Sequence, residues 1–178
     1  MYKIEIKALH FYYTAQDEIL KGLNLSFDAR STAIIGQNGA GKTTFVKLLK
    51  GLLKPTAGEI LINGINTKEV TVAELAKHIG LVFQNPNDQI FKKNVMDEIM
   101  FGPLNIGQSP KQAQESSRKA LNMVGLYEKK DENPYDLSLS ERKLISIASI
   151  VAMNPNIIIL DEPTIGQDYA GKEKIKHD

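Results

Sequence analysis

A glycine-rich segment in the first quarter of the chain has the residue types and the spacing that hold a polyphosphate. It has the form G-x-x-x-x-G-K-T, and its residues are Gly36, Gln37, Asn38, Gly39, Ala40, Gly41, Lys42 and Thr43, with Thr44 next. Glycines let successive backbone N–H groups turn inward, so that a triphosphate can approach without meeting a Cβ atom. Lys42 adds a mobile positive charge for the β- and γ-phosphates, and the Thr43 hydroxyl can ligate Mg²⁺. The segment therefore predicts a nucleotide-binding loop and not a glycine turn that merely joins two elements.

An acidic pair, Asp161 and Glu162, directly follows the apolar run 157–160. Ligands of open α/β sheets bind at the carboxyl ends of the strands, where Asp161 could hold Mg²⁺ and Glu162 could polarise an attacking water. Most such pairs are solvated loops. The functional interpretation therefore depends on the phosphate loop being present in the same chain.

The elements that must position these residues follow from the apolar periodicity. Alternation predicts two antiparallel strands over residues 2–13 and 19–27, with Gly22 as a possible bulge. Short buried strands are predicted at 32–35, 60–62, 79–83 and 157–160, the last of them buried on both faces. Helices are predicted at 45–53, 72–78, 95–101, 110–124 and 140–153. Strands that alternate with helices predict an α/β fold with a mainly parallel sheet.

The segment 85–137 differs from the rest because it contains helical patterns only. It predicts an inserted helical subdomain within an α/β core formed by residues 1–84 and 138–178.

Composition narrows the classes of function. The chain has 178 residues, a formal net charge of +1 and no cysteine, which excludes disulfides, thiolate zinc sites and thiol catalysis. A net charge near zero argues against a strongly basic surface that binds nucleic acid. The sequence has no apolar run that could span a membrane and nothing typical of a signal peptide near Met1. These features predict a soluble, cytosolic protein that binds no nucleic acid directly.

The motifs together resemble the ATP-binding subunits of ABC transporters, and more narrowly those of cobalt and energy-coupling-factor (vitamin) importers. They stand in the family's order and cover nearly the whole chain. Residues 36–44 match the Walker A loop, and residues 157–162 match Walker B with its catalytic glutamate, Glu162. The resemblance implies a P-loop NTPase (RecA-like) fold with ATP and Mg²⁺ as ligands.

The resemblance also assigns roles to four residues outside the two Walker motifs. Tyr13 matches the aromatic residue that stacks on adenine, although Phe11 and Tyr12 compete for this role. Gln84 matches the Q-loop glutamine, which touches Mg²⁺ or the attacking water, and Ser138 matches the signature serine, which contacts the γ-phosphate held by a second subunit. Asp168 matches the D-loop aspartate. The implied metal ligands are Thr43, Gln84 and Asp161, and the implied catalytic residues are Glu162, Gln84 and Lys42.

Three departures from the family pattern bear on activity. The signature L-S-G-G-Q reads Leu137, Ser138, Leu139, Ser140 and Glu141, and the D-loop reads Ile165, Gly166, Gln167 and Asp168. Leu139 and Glu141 could hinder the dimer contact, or Leu139 could point into the subdomain core so that only Ser138 matters; both alternatives are open. The chain also ends at Asp178, before the family's switch histidine, and His177 is a poor substitute. We therefore expect a C-terminally truncated sheet and weak turnover.

The implied function is that of an ATP-hydrolysing subunit of an importer, in which nucleotide-driven dimer closure drives transport. The implied partners are a second ATPase subunit, identical or paralogous, and an integral membrane subunit, so the chain would lie on the inner face of the cell membrane. The alternative is a nucleotide-gated module of DNA repair or translation with little hydrolysis. Those proteins carry long coiled coils or tandem cassettes, and the sequence contains neither.

Overall fold

The computed structural model describes residues 3–15 and 17–162, and the chain forms two compact units that divide between His78 and Ile79. The phosphate loop belongs to the first unit and the acidic pair to the second. Asp168 and His177 lie outside the described residues, so the role expected for Asp168 stays a prediction. None of the helices within 3–162 is long and apolar enough to cross a bilayer.

The first unit is built on a four-stranded antiparallel sheet with the strand order β2-β1-β3-β4. Its strands are β1 (Ile4–Thr14), β2 (Asp17–Phe27), β3 (Ala57–Ile62) and β4 (Ile65–Asn66). Ile4 and Ile6 of β1 are buried, whereas Glu5 between them forms an ion pair at 2.7 Å with Lys3, which directly precedes the strand. The register between β1 and β2 slips beside Gly22. The predicted antiparallel layer and its bulge are thus confirmed.

Helix α1 (Lys42–Leu49) follows the phosphate loop and buries an apolar face made of Phe45, Val46, Leu48 and Leu49. It ends earlier than the sequence pattern predicts, because the N–H of Gly51 bonds the carbonyl of Leu48 at 3.0 Å and closes the last turn. Helix α2 (Val72–Leu75) is likewise shorter than predicted, and it starts with a capping box formed by Thr71 and Glu74.

The strand predicted over residues 32–35 is not formed, and that prediction was wrong for the described structure. Residues 31–37 have no regular secondary structure, and the side chain of Ile35 is 92% exposed. A strand needs a hydrogen-bonded neighbour, and none of the described strands pairs with this segment. An apolar run alone does not supply that neighbour.

The second unit contains a parallel pair, β5 (Ile79–Val82) and β6 (Ile157–Leu160), in which Ile79 lies opposite Ile157. This confirms the parallel arrangement for these two strands. β5 is buried throughout, but Ile158 and Leu160 of β6 are 45% and 40% exposed, so the prediction that β6 is buried on both faces was wrong. The reason is how the helices of this unit pack against the pair of strands β5 and β6. Within the described part of this unit, helix α5 (Leu139–Val151) packs on one face, where a Cβ atom on Gly80 would overlap Ile150.

Helices α3 (Val95–Asn105) and α4 (Pro110–Met123) share one apolar core with α5. The start of α4 agrees with the predicted range 110–124, because Pro110 is the first helical residue; Ser109 caps the helix in a box with Gln112. The described residues of the segment 85–137 contain helices and turns and no strand. The domain boundaries at 84 and 138 stay a prediction.

Candidate functional site

The phosphate loop has the backbone conformation that its glycines permit. Gly39 and Gly41 have φ angles of 82° and 83°, in the left-handed region that glycine adopts without strain. The carbonyl of Gln37 accepts a hydrogen bond from the N–H of Ala40 at 3.2 Å, which closes a tight turn. A Cβ atom at Gly39 would meet no heavy atom within 4 Å. This face of the loop is therefore open to a ligand.

The start of α1 adds positive charge at the end of the loop. No side-chain cap is formed at its N-terminus, and no acidic residue lies in its first turn. The first N–H groups of a helix lack intrahelical partners, and the helix dipole favours an anion there. Lys42 Nζ donates to the carbonyl oxygens of Gly36 at 2.8 Å and Gln37 at 2.9 Å. The ammonium thus lies over the loop, and the exposed Thr43 is beside it in the first turn.

The geometry distinguishes Tyr13 from Phe11, two of the aromatic residues that compete for the adenine. Phe11 is 6% exposed and belongs to the core of the first unit, whereas Tyr13 is 58% exposed. The ring of Tyr13 meets Phe11 edge to face with centroids 4.9 Å apart, and its hydroxyl lies 3.3 Å from the hydroxyl of Thr44, in the first turn of α1. Tyr13 is therefore the exposed ring that contacts the helix after the phosphate loop. This arrangement favours Tyr13 over Phe11 as a stacking surface.

In the second unit, the ends of β5 and β6 bring together three residues that the sequence singles out. The N–H of Asp161 bonds the carbonyl of Val82 at 3.0 Å, which extends the pairing of the two strands by one residue. The Asp161 side chain is largely buried, and Glu162 has a φ angle of 47° that turns the chain at this point. Gln84 Nε2 donates to Glu162 Oε2 at 2.8 Å. We call this group, formed by Gln84, Asp161 and Glu162, the carboxylate corner.

A buried lysine, which the sequence pattern did not single out, adjoins the carboxylate corner. Lys143 of α5 is 1% exposed, and its Nζ donates to the carbonyl oxygens of Phe83 at 2.6 Å and Gln84 at 3.0 Å. Burial lowers the pKa of Lys143, and the negative charges of Asp161 and Glu162 oppose that shift.

The position of Lys143 on α5 explains its burial. Lys143 precedes Ile150 by seven residues, which is two helical turns, and Ile150 faces Gly80 of β5. The position therefore lies on the face of α5 that packs against the sheet. A lysine at such a position indicates a buried polar contact.

The signature segment forms a closed hydrogen-bonded cap at the start of α5. Ser138 is the N-cap, and its Oγ accepts from the N–H of Glu141 at 3.2 Å. The carboxylate of Glu141 in turn accepts from Ser138 Oγ at 2.8 Å and from the Ser138 N–H at 2.9 Å, and it pairs with Lys129 at 2.6 Å. The Lys129 ammonium and the two Ser138 donors lower the pKa of Glu141 to about 2. The negative charge expected at this position is thus paired within the unit.

Leu139 settles one alternative that the sequence left open. Its side chain is 44% exposed at the first position of α5. It does not point into the core of the subdomain, so that alternative was wrong. The physical reason is its position on the helix, because Leu139 precedes the core residue Leu144 by five residues, which is about 140° around the helix axis.

The side-chain oxygens predicted to bind Mg²⁺ are of the kind that suits a metal ion whose remaining ligands are water and phosphate oxygens. Thr43 offers a hydroxyl in the first unit, and Gln84 and Asp161 offer an amide and a carboxylate in the second. Among the described residues, no group of three or more acidic, histidine or cysteine side chains could form a metal cage. Mg²⁺ in nucleotide sites commonly uses one or two protein oxygens together with phosphates. Each unit, taken by itself, therefore offers oxygen atoms of the kind that bind Mg²⁺ together with a nucleotide.

The chain matches the protein-family model described as ABC transporter over residues 20–165. It is 41% identical over 178 residues to an energy-coupling factor transporter ATP-binding protein of Methanocaldococcus jannaschii, covering 98% of this chain and 64% of that protein. More generally, the chain spans about two thirds, or less, of the length of the curated relatives it matches.

Two solved structures are similar in fold and sequence. One is CbiO1 of Clostridium perfringens, described as part of the ABC transporter complex CbiONQ, with a TM-score of 0.84 and 32% identity over 98% of this chain and 70% of that one. The other is a dimeric ATP-binding cassette in a post-hydrolysis state bound to ADP and phosphate. Its TM-score is 0.86 and its identity is 28%, over 98% of this chain and 80% of that one.

Proposed function

The chain belongs to the ABC transporter family, and from that premise we propose that it binds ATP and hydrolyses it to ADP and phosphate as a subunit of an importer. The observation that carries the proposal is the phosphate loop. Its glycines open the backbone to a ligand at Gly39, and Lys42 with the uncapped start of α1 supplies positive charge beside it. A polyphosphate is the ligand that this combination binds best.

Hydrolysis is assigned to the carboxylate corner. In the proposed step, Glu162 accepts a proton from a water whose oxygen bonds the γ-phosphorus, while the bond from that phosphorus to the bridging oxygen of ADP breaks. Gln84 is suited to orient this water, because its amide can both donate and accept and already contacts Glu162. Asp161, Gln84 and Thr43 would hold Mg²⁺, which supplies charge neutralisation on the phosphates when it is bound.

We also propose a second ATPase subunit as a partner. The similar cassette with ADP and phosphate is described as a dimer, and a nucleotide-dependent contact through Ser138 would place an anion at the start of α5. In the unit described here, Ser138 donates its hydroxyl proton to Glu141. A phosphate held by the partner would have to compete with that carboxylate for Ser138. In a dimer of identical copies both signatures would have this competition, whereas a paralogous partner with a different signature would contact this chain's nucleotide without it, which favours the paralogous partner.

A membrane subunit is the other proposed partner, and it would keep the protein on the inner face of the membrane. The support within this chain is an aromatic patch formed by Phe91, Phe101 and Leu104, which are 40–56% exposed. Lys92 Nζ lies 4.6 Å from the centre of the Phe101 ring. The backbone N–H groups of Phe91 and Lys92 both donate to the buried carboxylate of Glu98, which fixes the patch in place. Apolar surface held in a fixed shape is typical of a docking site.

The proposal is tested by titrating the full-length protein with a fluorescent ATP analogue in the presence of Mg²⁺ and by measuring phosphate release together with its ATPase and membrane partners. We expect saturable binding that excess ATP displaces, and phosphate release that requires Mg²⁺. A protein that binds no nucleotide would contradict the phosphate-loop assignment. Stimulation of phosphate release by duplex DNA, with no membrane subunit that co-purifies, would favour the non-transport alternative.

A further inference from the structure

We infer that Lys143 is a positioning residue, which holds the backbone at the end of β5 so that Gln84 meets Glu162 and which ties Gln84 to the helix that carries Ser138. The inference rests on the proposed function for its effect on turnover. Its structural part concerns the second unit alone and can be tested without nucleotide.

The first support is the cost of burying an ammonium. A charged group removed from water is tolerated only when its hydrogen-bonding capacity is used, and Lys143 is among the most completely buried side chains described. Two of its three N–H donors are directed at consecutive carbonyl oxygens, those of Phe83 and Gln84. An apolar side chain could fill the same volume at less electrostatic cost. The ammonium therefore has a polar task, and the two carbonyls identify it.

The second support is the direction in which these contacts constrain Gln84. The Phe83 N–H is held on its other side by Gln89 Oε1 at 3.2 Å, and Gln89 Nε2 donates to the carbonyl of Ser146 on α5 at 2.9 Å. Lys143 fixes the carbonyls, and Gln89 fixes the preceding amide. The backbone on both sides of the exposed Gln84 side chain is therefore hydrogen-bonded to α5, directly through Lys143 and indirectly through Gln89.

The third support is charge. Asp161 and Glu162 place two carboxylates at the ends of β5 and β6, next to strand carbonyls that also carry partial negative charge. Both carboxylates interact favourably with the Lys143 ammonium, which is how they oppose the effect of burial on its pKa. A fixed cation at this place lets the corner keep two carboxylates and a glutamine amide close together.

The last support is that Ser138 and Lys143 belong to the same helix, α5. Lys143 follows Ser138 by five residues, which corresponds to about 7.5 Å along a helix axis. Because α5 is continuous from Leu139 to Val151, a shift of its N-terminus also moves Lys143 and, through two hydrogen bonds, the carbonyl of Gln84. A displacement of α5 at Ser138 is thereby transmitted to Gln84, the residue proposed to orient the attacking water.

The test compares Lys143→Met, which keeps the volume and removes the ammonium, with Lys143→Gln, which retains a donor. Lys119→Met on α4 is the control, because Lys119 is exposed and its helix contributes no residue to the carboxylate corner. In nucleotide-free protein, we expect Lys143→Met to accelerate hydrogen exchange in residues 83–91 and to leave residues 110–123 unchanged. In the assembled protein, we expect kcat to fall by about tenfold and KM for Mg-ATP to change by less than about twofold. Lys143→Gln should recover part of both effects.

Exchange and kcat that both match the wild type in Lys143→Met would overturn the inference. It would also be overturned if Lys143→Gln were as impaired as Lys143→Met and the loss of kcat followed the loss of thermal stability in both, since a merely structural lysine would behave in that way. If the methionine variant does not fold, the glutamine variant and Lys143→Arg carry the comparison. A wild-type protein that hydrolyses no ATP with its partners would count against the proposed function, whereas the exchange measurement still decides the role of Lys143.

Discussion

The phosphate loop and the carboxylate corner are built in opposite ways. The loop is local, because Lys42 contacts carbonyls five and six residues away and the turn closes between Gln37 and Ala40. The corner is assembled from distant segments, since Gln84 and Glu162 are separated by 78 positions and Lys143 lies 60 positions from Phe83. The loop therefore depends on dihedral preferences of a few glycines, and the corner depends on the parallel pairing of β5 with β6 and on the packing of α5.

This difference predicts how each region responds to substitution. In the loop, changes of side chain should act on nucleotide affinity, and changes of glycine should act on the backbone itself. In the corner, side chains hold one another, so a substitution can change turnover while the loop and the affinity that depends on it stay intact. The following experiments separate the two responses.

The largest effect is expected for Glu162→Gln in the full-length protein. Glutamine keeps an oxygen that can accept from Gln84 Nε2, but it cannot take a proton from water. We expect kcat to fall by a factor on the order of 10²–10⁴ with little change in ATP affinity, and the closed, ATP-bound dimer with the ATPase partner to accumulate. Phosphate release and size-exclusion chromatography with Mg-ATP measure the two outcomes. Glu128→Gln, at an exposed position of the same unit, is the control, and undiminished hydrolysis in Glu162→Gln would remove Glu162 from the role of base.

Lys42→Ala should act on affinity first. The ammonium is the one side-chain charge that the described loop brings over its own carbonyls, and loss of its contacts with phosphate should weaken ATP binding by about 100-fold or more. The free energy of unfolding should change by less than about 0.5 kcal/mol, because the contacts are at the surface. Lys47→Ala in the last turn of the same helix provides the control. Unchanged affinity in a titration would contradict the phosphate-loop assignment.

The same contrast explains how much of the molecule could be predicted from the sequence. The phosphate loop, the start of α4 at Pro110 and the β1–β2 hairpin depend on contacts within one loop, one helix turn or one hairpin, and the structure has them where the pattern indicates. The family and its fold, predicted from the order of the motifs, are confirmed by the match over residues 20–165 and by the similar solved structures.

The predictions that failed concern burial, which depends on distant segments. Residues 32–35 have the composition of a buried strand, but pairing needs a partner that the local pattern cannot specify, and Ile35 is exposed. The exposure of Leu160 has the same origin. Lys143 was missed because charge alone assigns a lysine to the surface, and only the packing of α5 on β5 shows that its position is buried.

Two glycine variants of the loop separate backbone strain from steric overlap. Gly39 and Gly41 have nearly the same positive φ, so alanine at either should cost about 1–2 kcal/mol in unfolding free energy. At Gly41 the added Cβ would also lie 2.8 Å from Ile19 Cγ2, which should add about 1–3 kcal/mol. Gly39→Ala has no such overlap, but its Cβ would project into the open face of the loop and should reduce ATP affinity. Denaturant unfolding and nucleotide titration measure the two effects, and equal losses of stability would contradict the distinction.

The smallest effect is expected for Glu141→Gln at the start of α5. Glutamine can keep the capping box with Ser138 but loses the ion pair with Lys129, so the free energy of unfolding at pH 7 should fall by about 0.5–1 kcal/mol. The pKa of Glu141 is lowered to about 2 from its ordinary value of 4.5, so the ionised carboxylate stabilises the folded state above pH 4.5. That contribution is lost as the pH falls from 4.5 towards 2.

Urea unfolding of the wild type and of Glu141→Gln between pH 7 and pH 2 tests this direction of the pH dependence. The difference in stability between wild type and Glu141→Gln should be constant from pH 7 to about pH 5 and should shrink below it. Glu115→Gln, which breaks an exposed ion pair with Lys119 on α4, is the matched control and should show a smaller difference at pH 7. A difference that grows on acidification would mean that Glu141 is not held in its charged form by Lys129 and Ser138. In that case its charge would be free to repel a partner's phosphate, as the sequence alone had led us to expect.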